Sequence, residues 1–264
     1  MKNSKIYSFL GQAVCVIFTF LFLFPLILML IRSFEGNGMG NYAKVFEEVN
    51  LLPNFLTSFI VVFGTLLIVS VVSAMGAFSF SKLKFPGKKA LYYLLLTGMM
   101  IPTSALIFPL FQIVKGLHIN NTAFSLIFPY ATLNSCFNLM VLKNYFDGLP
   151  NELMEAARID GAGVFKTFVK VMMPIAVPGM AFVLIQTFLG AWNELQMAMI
   201  FINDTSVQPI SVVPLRFVQT AGSQNFPIEV MYASLVICLL PIAVFYIFGS
   251  KFLIAGMTAG AVKG

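Results

Sequence analysis

Charge is scarce in this sequence of 264 residues. Only 10% of the residues are Asp, Glu, Lys or Arg, whereas a soluble domain carries roughly a quarter. Hydrophobic residues make up 59% of the chain, and 29 residues are Phe. A single globule of this length cannot bury so much apolar surface, so lipid must be the solvent for most of it. The composition therefore excludes an ordinary soluble domain.

The usual catalytic and metal-binding patterns are also missing. The sequence has one histidine, His118, and lacks H-E-x-x-H, G-x-S-x-G and the phosphate loop G-x-x-x-x-G-K-[ST]. Cys15, Cys136 and Cys238 lie in apolar runs without metal-ligand spacing, which favours small buried hydrophobic residues over a disulfide or a metal site. We therefore expect no enzyme activity, no metal and no cofactor in this chain.

Long apolar runs dominate what is present. Each has about twenty residues or more, the length that a helix needs to cross the hydrocarbon core of a bilayer. The predicted fold is an all-α integral membrane protein, with residues 1–264 as one domain. Within the third run, Pro102-Thr103-Ser104 followed by Pro109 is the best candidate for a broken helix. The six predicted spans lie at about 11–31, 55–80, 89–113, 121–143, 177–202 and 230–254.

The basic residues predict the orientation of these spans. Six spans place both termini on one side of the membrane. With that side in the cytoplasm, twelve Lys and Arg residues fall in inner segments and four in outer ones, the arrangement that the positive-inside rule selects. The formal net charge of +6 thus follows from topology. Nothing in it indicates nucleic-acid binding.

A polar segment, Glu155-Ala156-Ala157-Arg158-Ile159-Asp160-Gly161, interrupts the apolar pattern between the fourth and fifth spans. Leu149-Pro150-Asn151-Glu152 predicts a helix start, and Gly161 with Gly163 predicts its end. On this helix, spacing places Leu153, Ala156, Ala157 and Asp160 on one face, and Glu155 within reach of Arg158.

Two interpretations of this short helix are open on spacing alone. An amphipathic helix lying on the membrane surface would carry large apolar residues on one face and Lys or Arg on the other. The alanines and acids found here leave little bulk on the predicted face. They therefore favour a helix that docks into a groove of a soluble protein.

The same segment resembles the EAA loop of the membrane subunits of binding-protein-dependent ABC importers. The resemblance rests on Glu155-Ala156-Ala157, Gly161 after three further residues, and Val171-Met172-Met173-Pro174 after nine more. The family favours Ile at Val171 and Leu at Met173. The chain is also similar to the carbohydrate-uptake, maltose-type branch in Asp160-Gly161-Ala162, in Trp192-Asn193 and in its tail, Gly256 to Gly264.

The resemblance implies a permease subunit in the plasma membrane of a prokaryote, with a coupling loop over about 144–176. Its partners would be a second, homologous permease, a pair of cytoplasmic ATPases that bind ATP and Mg²⁺, an extracytoplasmic binding protein and a carbohydrate. The tail from Gly256 can reach the ATPase interface in that family. The residues it implies for coupling are Glu155, Ala156, Ala157, Asp160, Gly161 and Pro174.

Polar residues inside the spans are candidates for the substrate pathway. Gln186, Gly190 and Asn193 share one helix face, and Asn134, Ser135 and Asn138 have compatible spacing in the fourth span. Amides suit hydroxyl-rich ligands because they donate and accept without a counter-charge. Trp192 can stack on a sugar, and Glu194 is the one ionisable group well inside a span. The alternative for each is hydrogen bonding or packing between helices.

Two other classes of protein remain as alternatives to the importer subunit. One is a secondary transporter that uses Glu194 for proton coupling, although such carriers often have internal repeats and several buried charges, and neither is visible here. The other is an integral-membrane enzyme or an assembly scaffold.

Overall fold

The chain is helical throughout the part that the structure describes. The structure is a computed structural model that describes residues 2–218 and 226–261, with side chains over 11–218 and 226–249. No strand occurs in these ranges, which confirms the all-α class. The side chains of the predicted tail, and residues 262–264 altogether, lie outside the described residues.

The helices follow one another with short connections. A π-helical turn at Phe168–Met172 and a 3₁₀ helix at Ile210–Phe217 complete the set. The α-helices of the described residues are α1 Lys2–Phe34, α2 Met39–Glu48, α3 Leu51–Lys82, α4 Lys88–Gly98, α5 Thr103–Gly116, α6 Phe124–Asp147, α7 Glu152–Ile159, α8 Val164–Thr167, α9 Met173–Ile175, α10 Val177–Asn193, α11 Gln196–Phe201 and α12 Ile228–Ala261.

Some helices can cross a bilayer alone, and others reach the necessary length only as a bent pair. Within the described residues, four helices are long and apolar enough to cross a bilayer: Gly11–Phe34, Leu51–Lys82, Phe124–Asp147 and Ile228–Gly249. Two bent pairs pass the same test together, α4 with α5 at 97° and Val164–Ile175 with α10 at 80°. By length and composition the described residues thus hold four spans, or six if each bent pair counts as one.

The predicted third span is not a continuous helix. α4 ends at Gly98 and α5 begins at Thr103, as the sequence Pro102-Thr103-Ser104 predicted. Pro102 is extended, with φ −63° and ψ 135°. Because proline disfavours helical backbone in the residue before it and has no N–H to donate to the preceding turn, α4 cannot continue through this position. Pro109 lies inside α5 without ending it.

The predicted fifth span, about 177–202, is also interrupted. α10 ends at Asn193, Glu194 is extended with ψ 126°, and α11 resumes at Gln196. The Glu194 carboxylate accepts hydrogen bonds from the backbone N–H groups of Met197 and Ala198, so this side chain caps the new helix. The prediction of one helix here is wrong because an apolar run does not show that a carboxylate within it turns back onto the backbone.

The described residues fall into two compact units, Met1–Leu51 with Val213–Leu240 and Leu52–Val212 with Pro241–Gly264. In the first, α1 and α2 form a hairpin, where Asn41 Nδ2 donates to the carbonyl oxygens of Ser33 at 3.0 Å and Glu35 at 2.8 Å. The second contains the loop and the cleft described below.

Close approach of α3 and α6 organises the core of the second unit. A Cβ on Gly76 would lie 2.6 Å from Leu139 Cδ1, and one on Gly64 would lie 2.7 Å from Ile127 Cδ1, so the absence of side chains brings the two helices together. Ala74 and Ala77 are buried on the same helix, and such small residues let neighbouring helices pack closely. Around this contact the core contains Phe78, Leu142, Phe146, Phe168, Met172 and Val183.

Candidate functional site: the loop helix and a polar cleft

The polar segment between α6 and α10 forms the helix that the sequence predicts. α7 spans Glu152–Ile159, with Glu152 and Glu155 in its first turn, where acidic groups are favoured by the helix dipole. Two of its last C=O groups are satisfied by a turn in which Ala162 N donates to Ala157 O at 2.9 Å and Gly161 N donates to Arg158 O at 3.1 Å. The positive φ of Gly161, 72°, makes this turn possible.

The two faces of α7 differ from the prediction. Ala157 is only 6% exposed, and half-buried Leu153 and Met154 pack on the core beside Phe168. The predicted face is therefore split, because the core of the same chain takes Leu153 and Ala157 and leaves Ala156 and Asp160 exposed. The predicted Glu155–Arg158 pair is not among the ion pairs of the described residues.

The outer side of the loop carries large apolar residues next to acids. Ile159 is 86% exposed and Phe165 68%, with Val164 also exposed nearby in sequence. We call Glu155, Ala156, Ile159, Asp160, Val164 and Phe165 the loop surface. Exposed Ile and Phe among acidic groups favour a protein groove over an anionic lipid surface, which prefers Lys and Arg.

The second half of the loop is anchored by its inner residues. Phe168 and Met172 are buried, and the Phe168 ring lies 5.1 Å from that of Phe78 on α3. The π-helical turn over Phe168–Met172 directly precedes Pro174, whose missing N–H would leave a gap in a regular helix. Pro174 itself is exposed.

A polar cleft lies at the interrupted ends of α5 and α10. Its volume is about 230 Å³. α5 begins there, and α10 breaks there before α11, so both interruptions meet α6 at one place. Irregular backbone at membrane depth is tolerated where it is buried in protein or lines a cavity. The lining residues are Thr103, Tyr130, Leu133, Asn134, Gly190, Glu194 and Met197.

Glu194 accepts hydrogen bonds from several segments around the cleft. Its carboxylate accepts from the Tyr130 hydroxyl and from the N–H groups of Met197, at 2.9 Å, and Ala198, at 3.2 Å. Its backbone oxygen accepts from Ser211 Oγ at 2.9 Å. A carboxylate with this many donors is stabilised in place as an acceptor. This geometry favours a structural group over the proton carrier of the secondary-transporter alternative.

The predicted amides are divided between the cleft and its surroundings. Asn134 lines the cleft, where a Cβ on Gly190 would lie 3.1 Å from Asn134 Oδ1. Gln186, Gly190 and Asn193 share an exposed face of α10, as their spacing predicted. Asn138 is fully buried and its Nδ2 donates to Thr187 Oγ1 at 3.1 Å, whereas its Oδ1 has no partner within the described residues.

Trp192 does not line the cleft. It is only 3% exposed and packs between Phe188, with ring centroids 5.6 Å apart, and Phe59, at 5.3 Å. In this conformation its indole serves packing. Thr103 and Tyr130 do line the cleft and were missed by sequence reasoning, although the predicted helix break at Pro102-Thr103 was a signal for the first.

The segment after α11 is ordered by side-chain caps. Asn121 Oδ1 accepts from the N–H of Asn203 at 2.7 Å, and Asn54 Nδ2 donates to the carbonyl oxygens of Thr205 and Gln208. The pKa of Asp204 lies below its ordinary value because the hydroxyl and the backbone N–H of Ser206 both donate to its carboxylate. These contacts fix the start of a connection that continues into the 3₁₀ helix.

Comparison with known proteins agrees with this architecture. Residues 67–258 match the protein family described as "Binding-protein-dependent transport system inner membrane component". A diacetylchitobiose uptake system permease protein of Streptomyces coelicolor is 30% identical, covering 93% of this chain and 85% of the relative. A trehalose transport system permease protein of Mycobacterium tuberculosis is 32% identical, over 85% of this chain and 81% of the relative.

A solved structure shares the fold. It is that of a bacterial ABC transporter involved in the import of the acidic polysaccharide alginate. The TM-score is 0.80 at 19% identity, and the match covers 95% of this chain and 98% of the other. A third relative, a trehalose/maltose transport system permease protein of Thermococcus litoralis, is 29% identical over 92% of each chain.

Proposed function

The chain belongs to the family of binding-protein-dependent transport system inner membrane components, and on this premise we propose that it is half of the translocation pathway of an ATP-driven carbohydrate importer. A binding protein would deliver the substrate, a second permease would complete the pathway, and a separate ATPase would supply the energy. The observation that carries the coupling role is the loop surface, with Ile159 86% exposed on a helix whose other face is fixed to the core.

We propose that residues 1–264 form one transmembrane domain of six spans, with both termini in the cytoplasm. The bent pair of α4 and α5 would supply the third span. α10, continued by α11 after the break at Glu194, would supply the fifth, with Val164–Ile175 remaining in the loop. The bias of twelve inner against four outer Lys and Arg residues supports this orientation. It places α7 on the cytoplasmic side, where an ATPase can reach it.

The loop surface is the proposed docking site for the ATPase. Closure of the ATPase on ATP would push on Glu155, Ala156, Asp160 and Gly161. Because Ala157, Leu153 and Phe168 fix the inner side of the loop to α3 and α6, such a push passes into the spans. Pro174 lies at the far end of this loop, directly before the bend into α10.

The cleft is the proposed contact site for the substrate, which we propose to be a neutral saccharide. Asn134 and Glu194 offer acceptor oxygens to sugar hydroxyls, Thr103 adds a hydroxyl, and Gln186 and Asn193 extend the polar face along α10. The Glu194 carboxylate would repel an anionic sugar. The relatives named for uptake of diacetylchitobiose and trehalose support an uncharged substrate.

Reconstitution of the complete transporter tests this function. We expect saccharide uptake into proteoliposomes to require ATP on the ATPase side and the binding protein on the other. Uptake should persist when an uncoupler dissipates the proton gradient at constant ATP. Uptake that collapses with the uncoupler would favour the secondary transporter, and purification of the chain without any ATPase would favour the scaffold.

A further inference from the structure

A lysine outside the EAA motif ties the start of α7 to the end of α3. Lys82 is the last residue of α3, and its Nζ donates to the carbonyl oxygen of Leu149 at 2.6 Å and to Asn151 Oδ1 at 3.0 Å. Leu149 follows α6, and Asn151 directly precedes α7. One ammonium group therefore joins three helices at a single point.

Asn151 is diverted from the role that its position predicts. An Asn before the first turn of a helix normally accepts from backbone N–H groups of that turn. Among the described residues the Asn151 side chain makes no such bond with α7, and its oxygen accepts from Lys82 instead. The first turn of α7 is thus held from outside by α3.

Other charged groups near Lys82 also make hydrogen bonds at the ends of α3 and α6. Asp147, at the end of α6, accepts from Ser81 Oγ and from Lys143 Nζ, both at 2.6 Å. Lys88, at the start of α4, donates to the carbonyl oxygens of Ser81 and Leu83 at 3.1 and 2.9 Å. The ammonium groups of Lys82 and Lys88 both donate to carbonyl oxygens near helix C-termini, where positive charge is favoured.

We propose that Lys82 is a positioning residue for energy coupling, which transmits displacement of α7 directly to α3. This inference rests on the proposed docking of the ATPase at the loop surface. Along the chain, α7 follows α6 and precedes α8, so no backbone segment joins it directly to α3. Apolar contacts at Leu153 and Met154 can slide, whereas a two-point hydrogen bond from an ammonium group holds both distance and direction.

The hydrogen bonds of Lys82 determine which helices move together with α7. α3 and α6 already approach closely at Gly76 and Gly64. With Lys82 in place, a push on α7 reaches both helices of this pair at the same end. Without it, α7 can shift along α3, and ATP hydrolysis is expected to continue without driving the change in access.

The test compares two variants that remove hydrogen bonds of Lys82 in different ways. Lys82→Met removes the ammonium group and keeps most of the apolar stem. Asn151→Ser removes the oxygen that reaches Lys82 and leaves a good capping residue for α7, so it should not weaken the helix. Lys82→Arg keeps the charge as a conservative variant, and Lys84→Met changes an exposed neighbour as the matched control.

The readout is saccharide transported per ATP hydrolysed in proteoliposomes containing the complete transporter. We expect the ratio to fall about tenfold or more in Lys82→Met, because the variant loses both hydrogen bonds of the ammonium group and the loss of even one hydrogen bond to a charged group corresponds to about tenfold. It should fall to a lesser extent in Asn151→Ser, recover in Lys82→Arg and remain unchanged in Lys84→Met, with hydrolysis itself continuing in all four.

Two results would overturn the inference. One is an unchanged ratio in Asn151→Ser and Lys82→Met. The other is a parallel loss of hydrolysis and transport, which indicates a role in docking or folding alone. If wild-type transporter shows no ATP-dependent uptake, the proposed function fails instead, so the two failures are distinguishable.

Discussion

The hydroxyl of Tyr130 on α6 donates to the carboxylate of Glu194, at the point where α10 breaks off. The same carboxylate caps α11. One side chain at the end of α10 therefore contacts α6 and also holds the start of α11. This relationship links the shape of the cleft to the break between α10 and α11. It also gives Glu194 a task that requires no proton transfer.

Tyr130→Phe removes one donor and leaves the Met197 and Ala198 N–H groups on the carboxylate. We expect the free energy of unfolding to fall by about 1.5–3 kcal/mol, the range for a hydrogen bond to a charged group. Thermal unfolding of the purified chain in detergent measures this loss of stability.

Glu194→Gln should keep the uptake that is driven by ATP. If uptake by the wild type depended on the proton gradient and the variant lost that dependence, the structural role of Glu194 would be contradicted.

Gly161→Asn should leave the subunit in the membrane at wild-type levels and abolish uptake. Asn tolerates the positive φ of this position better than other residues with a side chain. A Cβ there meets no atom of the described part of the chain within 4 Å. A loss of uptake therefore arises where the ATPase approaches, and retained uptake in this variant would disprove close docking at Gly161. Gly161→Ala tests the same contact with added backbone strain.

Ile159→Asp should weaken binding of the ATPase to the permease by about tenfold or more, because the transfer of one large aliphatic side chain from water is lost and a charge is added. Titration of the detergent-solubilised permease with ATPase measures the affinity. Lys89→Ala, at an exposed site on α4, is the control and should bind normally. Equal affinities in the two variants would exclude Ile159 from the docking site.

Gly190→Ala should narrow the cleft, because the new Cβ would lie 3.1 Å from Asn134 Oδ1. We expect KM for saccharide uptake to rise about tenfold, since small steric changes in packed sites cost on the order of 1–3 kcal/mol, while basal ATP hydrolysis stays constant. Gly98→Ala is a matched control, because a Cβ at Gly98 meets nothing within 4 Å. An unchanged KM would remove the cleft from the substrate pathway.

Local signals predicted the parts of this fold that depend on neighbouring residues. Pro150, Asn151 and Gly161 predicted the bounds of α7, and Pro102 predicted the break before α5. Each acts through its own backbone geometry, so a single sequence contains the information. The four helices of the described residues that are long and apolar enough to cross a bilayer followed from the length of apolar runs in the same way.

The parts that depend on distant contacts were not predicted. At the break, the Glu194 carboxylate also accepts a hydrogen bond from Tyr130, which lies 64 residues away, and local sequence signals do not indicate this contact. The orientation of α7 about its axis needs Phe168 and the core beneath it, so the predicted face of Ala156 and Ala157 was split. Helical spacing shows which residues share a face, whereas only tertiary packing decides which face is buried in the core of the same chain.

The shortness of α7 has a consequence for the affinity of its partner. A helix of eight residues is not stable alone in water, because nucleation costs more than so few hydrogen bonds return. Here Ala157, Phe168 and the turn at Gly161 hold it folded before any partner arrives. An ATPase that binds this preformed loop avoids the entropy loss of ordering it, whereas a free peptide of residues 148–176 would bear that loss and should compete only weakly.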